Sequence, residues 1–162
     1  MRVREATAED WPAVAALLAE LGRPPAIGAP EEEDLRRVFL AYLERDDVVA
    51  LVAEDGDHVV GFCDLELRTR LNFAQPQAWI PDLVVAEDAR SRGAGRTLLE
   101  RAEEIARERG AWGMSLESAA WRERAHAFYE REGWTDSGKA FTKSLSDRPW
   151  PPPPPPRETR DF

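Results

Sequence analysis

Leu83-Val84-Val85-Ala86-Glu87-Asp88-Ala89-Arg90-Ser91-Arg92-Gly93-Ala94-Gly95-Arg96-Thr97-Leu98-Leu99 is the stretch that decides how the chain folds. It starts as an apolar strand, passes through a polar turn with two glycines, and opens an amphipathic helix. That helix carries Leu98, Ala102, Ile105 and Ala106 on one face, and Gly110 ends it. Glycines at 93 and 95 let backbone N–H groups approach an anion with no Cβ in the way. These amides lie at a helix N-terminus, where the dipole offers roughly +0.5 charge, so a pyrophosphate is a natural guest. Arg90, Arg92 and Arg96 add positive charge to the turn. Other readings are weaker. A P-loop ends in Gly-Lys followed by Ser or Thr, and no lysine lies here. A dinucleotide fingerprint needs a third glycine where Leu98 stands, and this turn follows a mid-chain strand. A glycine-containing loop with no ligand stays open on these residues alone.

On the N-terminal side, VVALVAED (48–55) and HVVGFCDLEL (58–67) flank Asp55-Gly56, a hairpin signal. A further apolar run spans Ala78 to Ala86. Arg2 to Ala6 reads as a short first strand. Thr7 with Asp10 three residues on makes a capping-box-like start to a helix with Trp11, Val14, Leu18 and Leu21 at helical spacing, stopped at Gly22. Pro24, Pro25, Gly28 and Pro30 form a loop. Glu31–Asp34 then begin a second helix, their charge suiting its positive end, with the stripe Leu35, Val38, Phe39, Tyr42 and Leu43.

On the C-terminal side, a strand over Trp112–Ser118 precedes a helix carrying Trp121, Ala125, Phe128 and Tyr129, which stops at Gly133. Trp134 to Leu145 reads as a closing hairpin or pair of strands. The order β-α-α-β-β-β-α-β-α-β-β predicts one mixed α/β domain over residues 1–145. From Ser146 the chain changes in kind, and Pro151–Pro156 favours an extended polyproline II tail over residues 146–162. Its PxxPxR pattern ending at Arg157 could serve a proline-reading domain, although a solvated extension is the simpler reading.

The chain of 162 residues is long enough for one core and too short for two large ones. Its net charge of −9 repels phosphate backbones, so nucleic acid is not an expected partner, whereas a cationic small molecule would be steered inward. One cysteine, Cys63, excludes an intramolecular disulfide. No signal-peptide-like start and no membrane-length apolar run is visible, so the expectation is a cytoplasmic protein without a membrane partner.

With both flanks in view, the chain resembles the GNAT superfamily of N-acetyltransferases. That family's central motif is a strand, then Gln or Arg, two residues, Gly, one residue, Gly or Ala, then a helix; Arg90, Gly93 and Gly95 match it in sequence and context. Its second motif, an Ala-x-x-Phe-Tyr helix ending in Gly-aromatic, is met by Ala125, Phe128, Tyr129, Gly133 and Trp134. The element order matches as well, so the resemblance covers Arg2 to about Leu145.

The resemblance implies a mixed α/β fold, a centrally splayed sheet of about seven strands flanked by about four helices. It implies direct transfer of the acetyl group of acetyl-CoA to a primary amine, with no metal. The backbone of Leu83, Val84 and Val85 would bond the pantetheine arm. Arg90, Ser91, Arg92, Gly93, Ala94, Gly95, Arg96 and Thr97 would wrap the pyrophosphate. Arg122 replaces a frequent cofactor-binding asparagine and could reach a phosphate.

Tyr129 matches the usual general acid, and a phenol near pKa 10 stays protonated beside a thiolate leaving group near 8.5. On spacing alone it could equally complete its apolar stripe. The position of the family's usual glutamate base is Trp79, which leaves Asp82, and second Glu117 on the facing strand, as carboxylates to hold or deprotonate the amine. Cys63 falls on an apolar strand face, where thiols are usually inert packing. His58 and His126 make neither a metal site nor a pair. The expected acceptor is a small cationic amine; alternatives are a protein α-amine or lysine, or an acyl-CoA-binding regulatory module without turnover. Family members often dimerise, so a homodimer stays open, and the sequence leaves the oligomeric state undecided.

Overall fold

The turn and cap chemistry of the N-terminal half forms as expected. In the computed structural model, which describes residues 1–149, Thr7 and Asp10 form a capping box ahead of α1 (Trp11–Glu20). Asp10 is buried and receives a two-pronged bond from Arg4, at 2.7 and 2.9 Å, so the guanidinium holds its carboxyl below the usual range. Gly22, at φ 102°, ends α1 by letting the Arg23 N–H return to the Leu18 carbonyl at 3.0 Å. α2 (Glu32–Leu43) buries only Phe39, which meets Trp11 at 5.6 Å between ring centroids. The expected stripe is therefore narrower, with Val38 and Leu35 exposed. The proline run Pro151–Pro156 and most of the expected tail lie outside the described residues.

Strands β1 (Arg2–Glu5), β2 (Val48–Asp55), β3 (His58–Arg68), β4 (Gln77–Ile80), β5 (Leu83–Val85) and β6 (Met114–Leu116) form one sheet. Its order is β1-β2-β3-β4-β6, with β5 pairing only β3. The β2–β3 hairpin turns at Gly56, φ 62°, as the Asp55-Gly56 signal indicates. α3 (Ala94–Glu108) packs Leu98, Leu99, Ala102, Ile105 and Ala106 into the core. It sits so close to the sheet that a Cβ on Gly61 would stand 2.9 Å from Leu98 Cδ1. α1 and α2 contribute to the other hydrophobic cluster, with Phe62, Val52 and Val84.

The described residues fall into two compact units, Met1–Leu116 and the residues from Glu117 on. The second contains α4 (Glu123–Arg131). Two expectations change here. The strand over Trp112–Ser118 is only Met114–Leu116, and no strand forms over Trp134–Leu145. Among the described residues the mixed sheet thus has six strands rather than about seven, with α1, α2 and α3 in the same unit and the fourth helix, α4, in the second. Phe141 and Leu145, which would have faced inward from a closing hairpin, are exposed.

Candidate active site

Pro81 interrupts what the sequence presents as one apolar run. Without an amide hydrogen it cannot continue a ladder, so β4 stops at Ile80 and β5 starts at Leu83. β6 runs parallel to β4 as far as Ile80↔Leu116, and from Leu83 onward the β5 ladder has β3 on one side alone. This is the splay the family resemblance implies.

The ladder fixes which backbone groups face the open edge. Asp64 N–H donates to the Asp82 carbonyl at 3.2 Å, and Ala86 N–H donates to the Val60 carbonyl at 2.9 Å. In an antiparallel pair the facing direction alternates, so residues 82, 84 and 86 address β3. The backbone groups of Leu83 and Val85 turn to the unpaired edge. Val85 C=O accepts from Arg90 Nε at 3.4 Å. Of the expected pantetheine contacts, Leu83 and Val85 present their backbones, while Val84 is committed to the sheet and its side chain is buried.

Past β5 the chain reaches Ser91 (φ 64°) and Gly93 (φ 90°), two left-handed residues that turn it into α3. Gly93 is the N-cap, and no side chain caps the helix. The first-turn amides of Ala94 and Gly95 therefore keep their capacity for an anion, while Thr97 N–H and Oγ1 both return to the Gly93 carbonyl, at 3.0 and 3.1 Å. The three arginines are more anchored than the sequence suggests. Arg90 lies 4.0 Å from Glu20, Arg92 pairs with Asp55, and Arg96 pairs with Glu100 at 2.9 Å. Arg90 nevertheless keeps one buried nitrogen, Nη1, with no hydrogen-bond partner. An unsatisfied buried cationic donor near an uncapped helix start fits a diphosphate-bearing ligand such as acetyl-CoA.

At the other end of β5 the side chains are acidic. Asp82 sits in the junction, and Arg23 Nη2 meets its Oδ1 at 2.5 Å. Its backbone N–H donates to Asp64 Oδ1 at 2.8 Å. Asp64 is buried, and its Oδ2 lies 2.8 Å from the Tyr42 hydroxyl, which also lies 3.0 Å from Glu66 Oε1. Burial, and then the Asp82 charge, push Asp64 up to about 7. Trp79, where the usual base would stand, lies under the Arg68 guanidinium, 3.2 Å from its ring centroid. Asp64 was not singled out in the sequence, and Tyr42 was read only as part of the α2 stripe. The signal available was two acids, Asp64 and Glu66, at alternate positions of a strand, on the face that also carries the core residue Phe62.

In the second unit, Tyr129 lies on α4, with its ring 5.4 Å from Phe128 and 6.2 Å from Trp134. No residue of α4 is fully buried, so the expected stripe is partly covered. Arg122 is the N-cap of α4 and its guanidinium lies over Trp121 at 4.7 Å. Glu117 is exposed and stands one residue past the end of β6 rather than on a facing strand. Cys63 is buried on β3, and burial holds its thiol well above the ordinary value. Among the described residues no group of three His, Cys, Asp or Glu side chains could hold a metal, and no helix is long and apolar enough to cross a membrane.

A sheet opened on one side of a strand that feeds an arginine-bearing turn and a helix with glycine at its N-cap is the frame of an acyl-group transferase. The Acetyltransferase (GNAT) family profile matches residues 6–134, and the chain belongs to that family. An aminoalkylphosphonate N-acetyltransferase of Salmonella typhimurium is 36% identical over 143 residues, covering 88% of this chain and 90% of that protein. A solved structure described as a transcriptional regulator from Bacillus halodurans superposes with TM-score 0.80 at 25% identity, covering 89% of this chain and 99% of that one. Glucosamine-6-phosphate N-acetyltransferase from Arabidopsis thaliana shares the fold at TM-score 0.77 and 19% identity, covering 90% and 98%.

Proposed function

We propose that the protein transfers the acetyl group of acetyl-CoA directly to the primary amine of a small molecule. The observation that carries this reading is the one-sided strand Leu83–Val85 leading into the uncapped start of α3. An extended amide-bearing arm can bond such an edge as a strand would, and a diphosphate can take the helix amides beyond it. Residues 1–145 are the transferase domain in this reading, with 146–162 an accessory extension.

The amine nitrogen attacks the thioester carbonyl carbon, the C–S bond breaks, and the sulfur leaves with the electron pair. Tyr129 donates its phenolic proton to that thiolate. Before the attack one proton of the acceptor's ammonium passes to Asp82, directly or through water, and the second proton that nitrogen loses as the amide forms restores the Tyr129 hydroxyl. Glu117, exposed and off the strand, is the weaker candidate for this step.

The acceptor in this reading is a small amine that also bears an anionic group. The Salmonella relative is named for aminoalkylphosphonates, which join the two. Asp82 would meet the ammonium, and Arg23, half exposed and bonded to Asp82 through one nitrogen, would meet the anion with its remaining donors. Thiol release from acetyl-CoA tests this against aminoalkylphosphonates, polyamines, aminoglycosides and peptides. Fastest turnover with an aminoalkylphosphonate is expected. Turnover confined to peptides would move the assignment to protein acetylation. Tight acetyl-CoA binding with flat traces throughout would make the chain a binding module.

A further inference from the structure

Asp64 is a buried carboxyl for which the transfer chemistry above has no role, and it lies where β4 hands over to β5. At that junction the regular ladder cannot form, because Pro81 has no N–H and the four steps from Trp79 to Leu83 oppose only three from Glu66 to Cys63. Asp64 bridges the gap from both ends of one residue. Its backbone N–H holds the Asp82 carbonyl at 3.2 Å, and its side-chain Oδ1 holds the Asp82 N–H at 2.8 Å. A trans peptide places its C=O and N–H on opposite sides. Fixing the Asp82 carbonyl toward β3 therefore aims the next amide, Leu83 N–H, at the open edge.

We propose that Asp64 is a positioning residue for acetyl transfer: its two-point hold on Asp82 sets the orientation of the Leu83 amide and keeps the mouth of the splay open. The inference rests on the acetyl-CoA reading above.

The surroundings determine the proton arrangement of this hold. Tyr42 reaches in from α2, Glu66 lies two residues along β3, and Asp82 stands in the junction with Arg23 behind it. Arg45 lies 3.6 Å from Glu66 on the far side, and the Cys63 thiol adjoins Asp64. The Tyr42 hydroxyl has one proton and faces two carboxyl groups. It can satisfy both only if one of them is protonated. Asp64, at about 7, is that group in mildly acidic solution. Its hydroxyl then donates to the Tyr42 oxygen, and Tyr42 donates to Glu66.

Asparagine reproduces that order, with its oxygen accepting from Asp82 N–H and its amide nitrogen donating to Tyr42. When Asp64 ionises, its charge faces Asp82 and Glu66 together, and the Tyr42 proton must leave one of the two carboxylates. The hold on the junction then loosens.

The test is acetyl-CoA affinity by calorimetry and turnover with the best amine, on the full chain, for wild type, Asp64→Asn and Asp64→Ala. At pH 6, Asp64→Asn should match wild type within about threefold, whereas Asp64→Ala should lose about 10-fold or more in affinity, since it strands the Asp82 N–H. As the pH rises through about 7, wild-type affinity should fall relative to Asp64→Asn, whose junction does not titrate. That comparison needs only the Asn protein and decides the matter even if Asp64→Ala does not fold. A wild-type-to-Asn ratio that stays constant from pH 5.5 to 8.5 overturns the proposal. So does a folded Asp64→Ala with wild-type affinity. A wild type that neither binds nor turns over acetyl-CoA instead overturns the transferase reading itself.

Discussion

At the C-terminal end of β5 stand three arginines at a helix start; at its N-terminal end stand Asp64, Glu66 and Asp82 around one tyrosine. The two regions are built differently as well as charged differently. In the proposed reading the turn would hold its anion through backbone amides at the start of α3, and its arginines are paired with Glu20, Asp55 and Glu100. The junction owes its shape to side chains from α2, β3 and the α1–α2 loop. A side chain added at the turn should therefore block a ligand, while a side chain removed at the junction should misplace one.

The largest effect is expected at Tyr129, the proposed general acid. Tyr129→Phe keeps the ring and removes the proton, so turnover should fall roughly 100-fold or more with acetyl-CoA affinity unchanged. Steady-state kinetics beside calorimetry separates the two. Full activity would leave Tyr129 as packing against Phe128 and Trp134.

At the turn, Gly95→Val places a branched Cβ over the first-turn amides. Losing about two charge-assisted bonds should weaken acetyl-CoA on the order of 100-fold and abolish its rise in Tm. An intact Tm shift in a folded Gly95→Val protein would take the anion away from the turn. Asp82→Asn keeps the junction's backbone bonds and should spare acetyl-CoA, raising the acceptor KM about 10-fold through loss of its charge. Equal losses for both substrates would show that the junction and the turn are one unit.

A stability measurement gives a smaller effect. Asp64 is raised in the folded state from 3.8 to about 7, so the folded chain holds a proton that the unfolded chain releases. This group therefore favours folding at acid pH, and that contribution is lost as pH rises from about 4 to about 7, at most about 1.4 kcal/mol per pH unit. Urea midpoints should fall more steeply across that window for wild type than for Asp64→Asn; parallel curves would refute it. Least of all should change on deleting residues from Pro149 onward, since a proline run offers few donors and little to bury. Acetyl-CoA affinity and turnover should both survive that deletion, and loss of either would give the tail a role at the site.

The turn was legible because every part of it lies within seventeen consecutive residues and each signal is local: strand, glycines, amphipathic helix. The hairpin at Gly56 and the Thr7–Asp10 cap were legible for the same reason. The junction was not. Asp82 was noticed as a carboxylate, yet Pro81 was read through as part of one apolar run, although a proline in a strand marks an interruption. Asp64, Tyr42 and Arg23 come to it from 18 to 59 residues away along the chain. The closing hairpin failed in the other direction. Trp134 to Leu145 reads as a closing hairpin or pair of strands by itself, but a strand needs a partner, and local pattern cannot supply one.

Cys63 gives the sheet an internal clock. It is the chain's single cysteine, fully buried on β3 directly opposite Leu83 and next to Asp64. A thiol reagent can reach it only while β3 is uncovered, because in the closed sheet burial both shields the sulfur and raises its pKa. The labelling rate therefore times how often the splayed centre of the sheet opens. A ligand that closes the open edge should slow that clock.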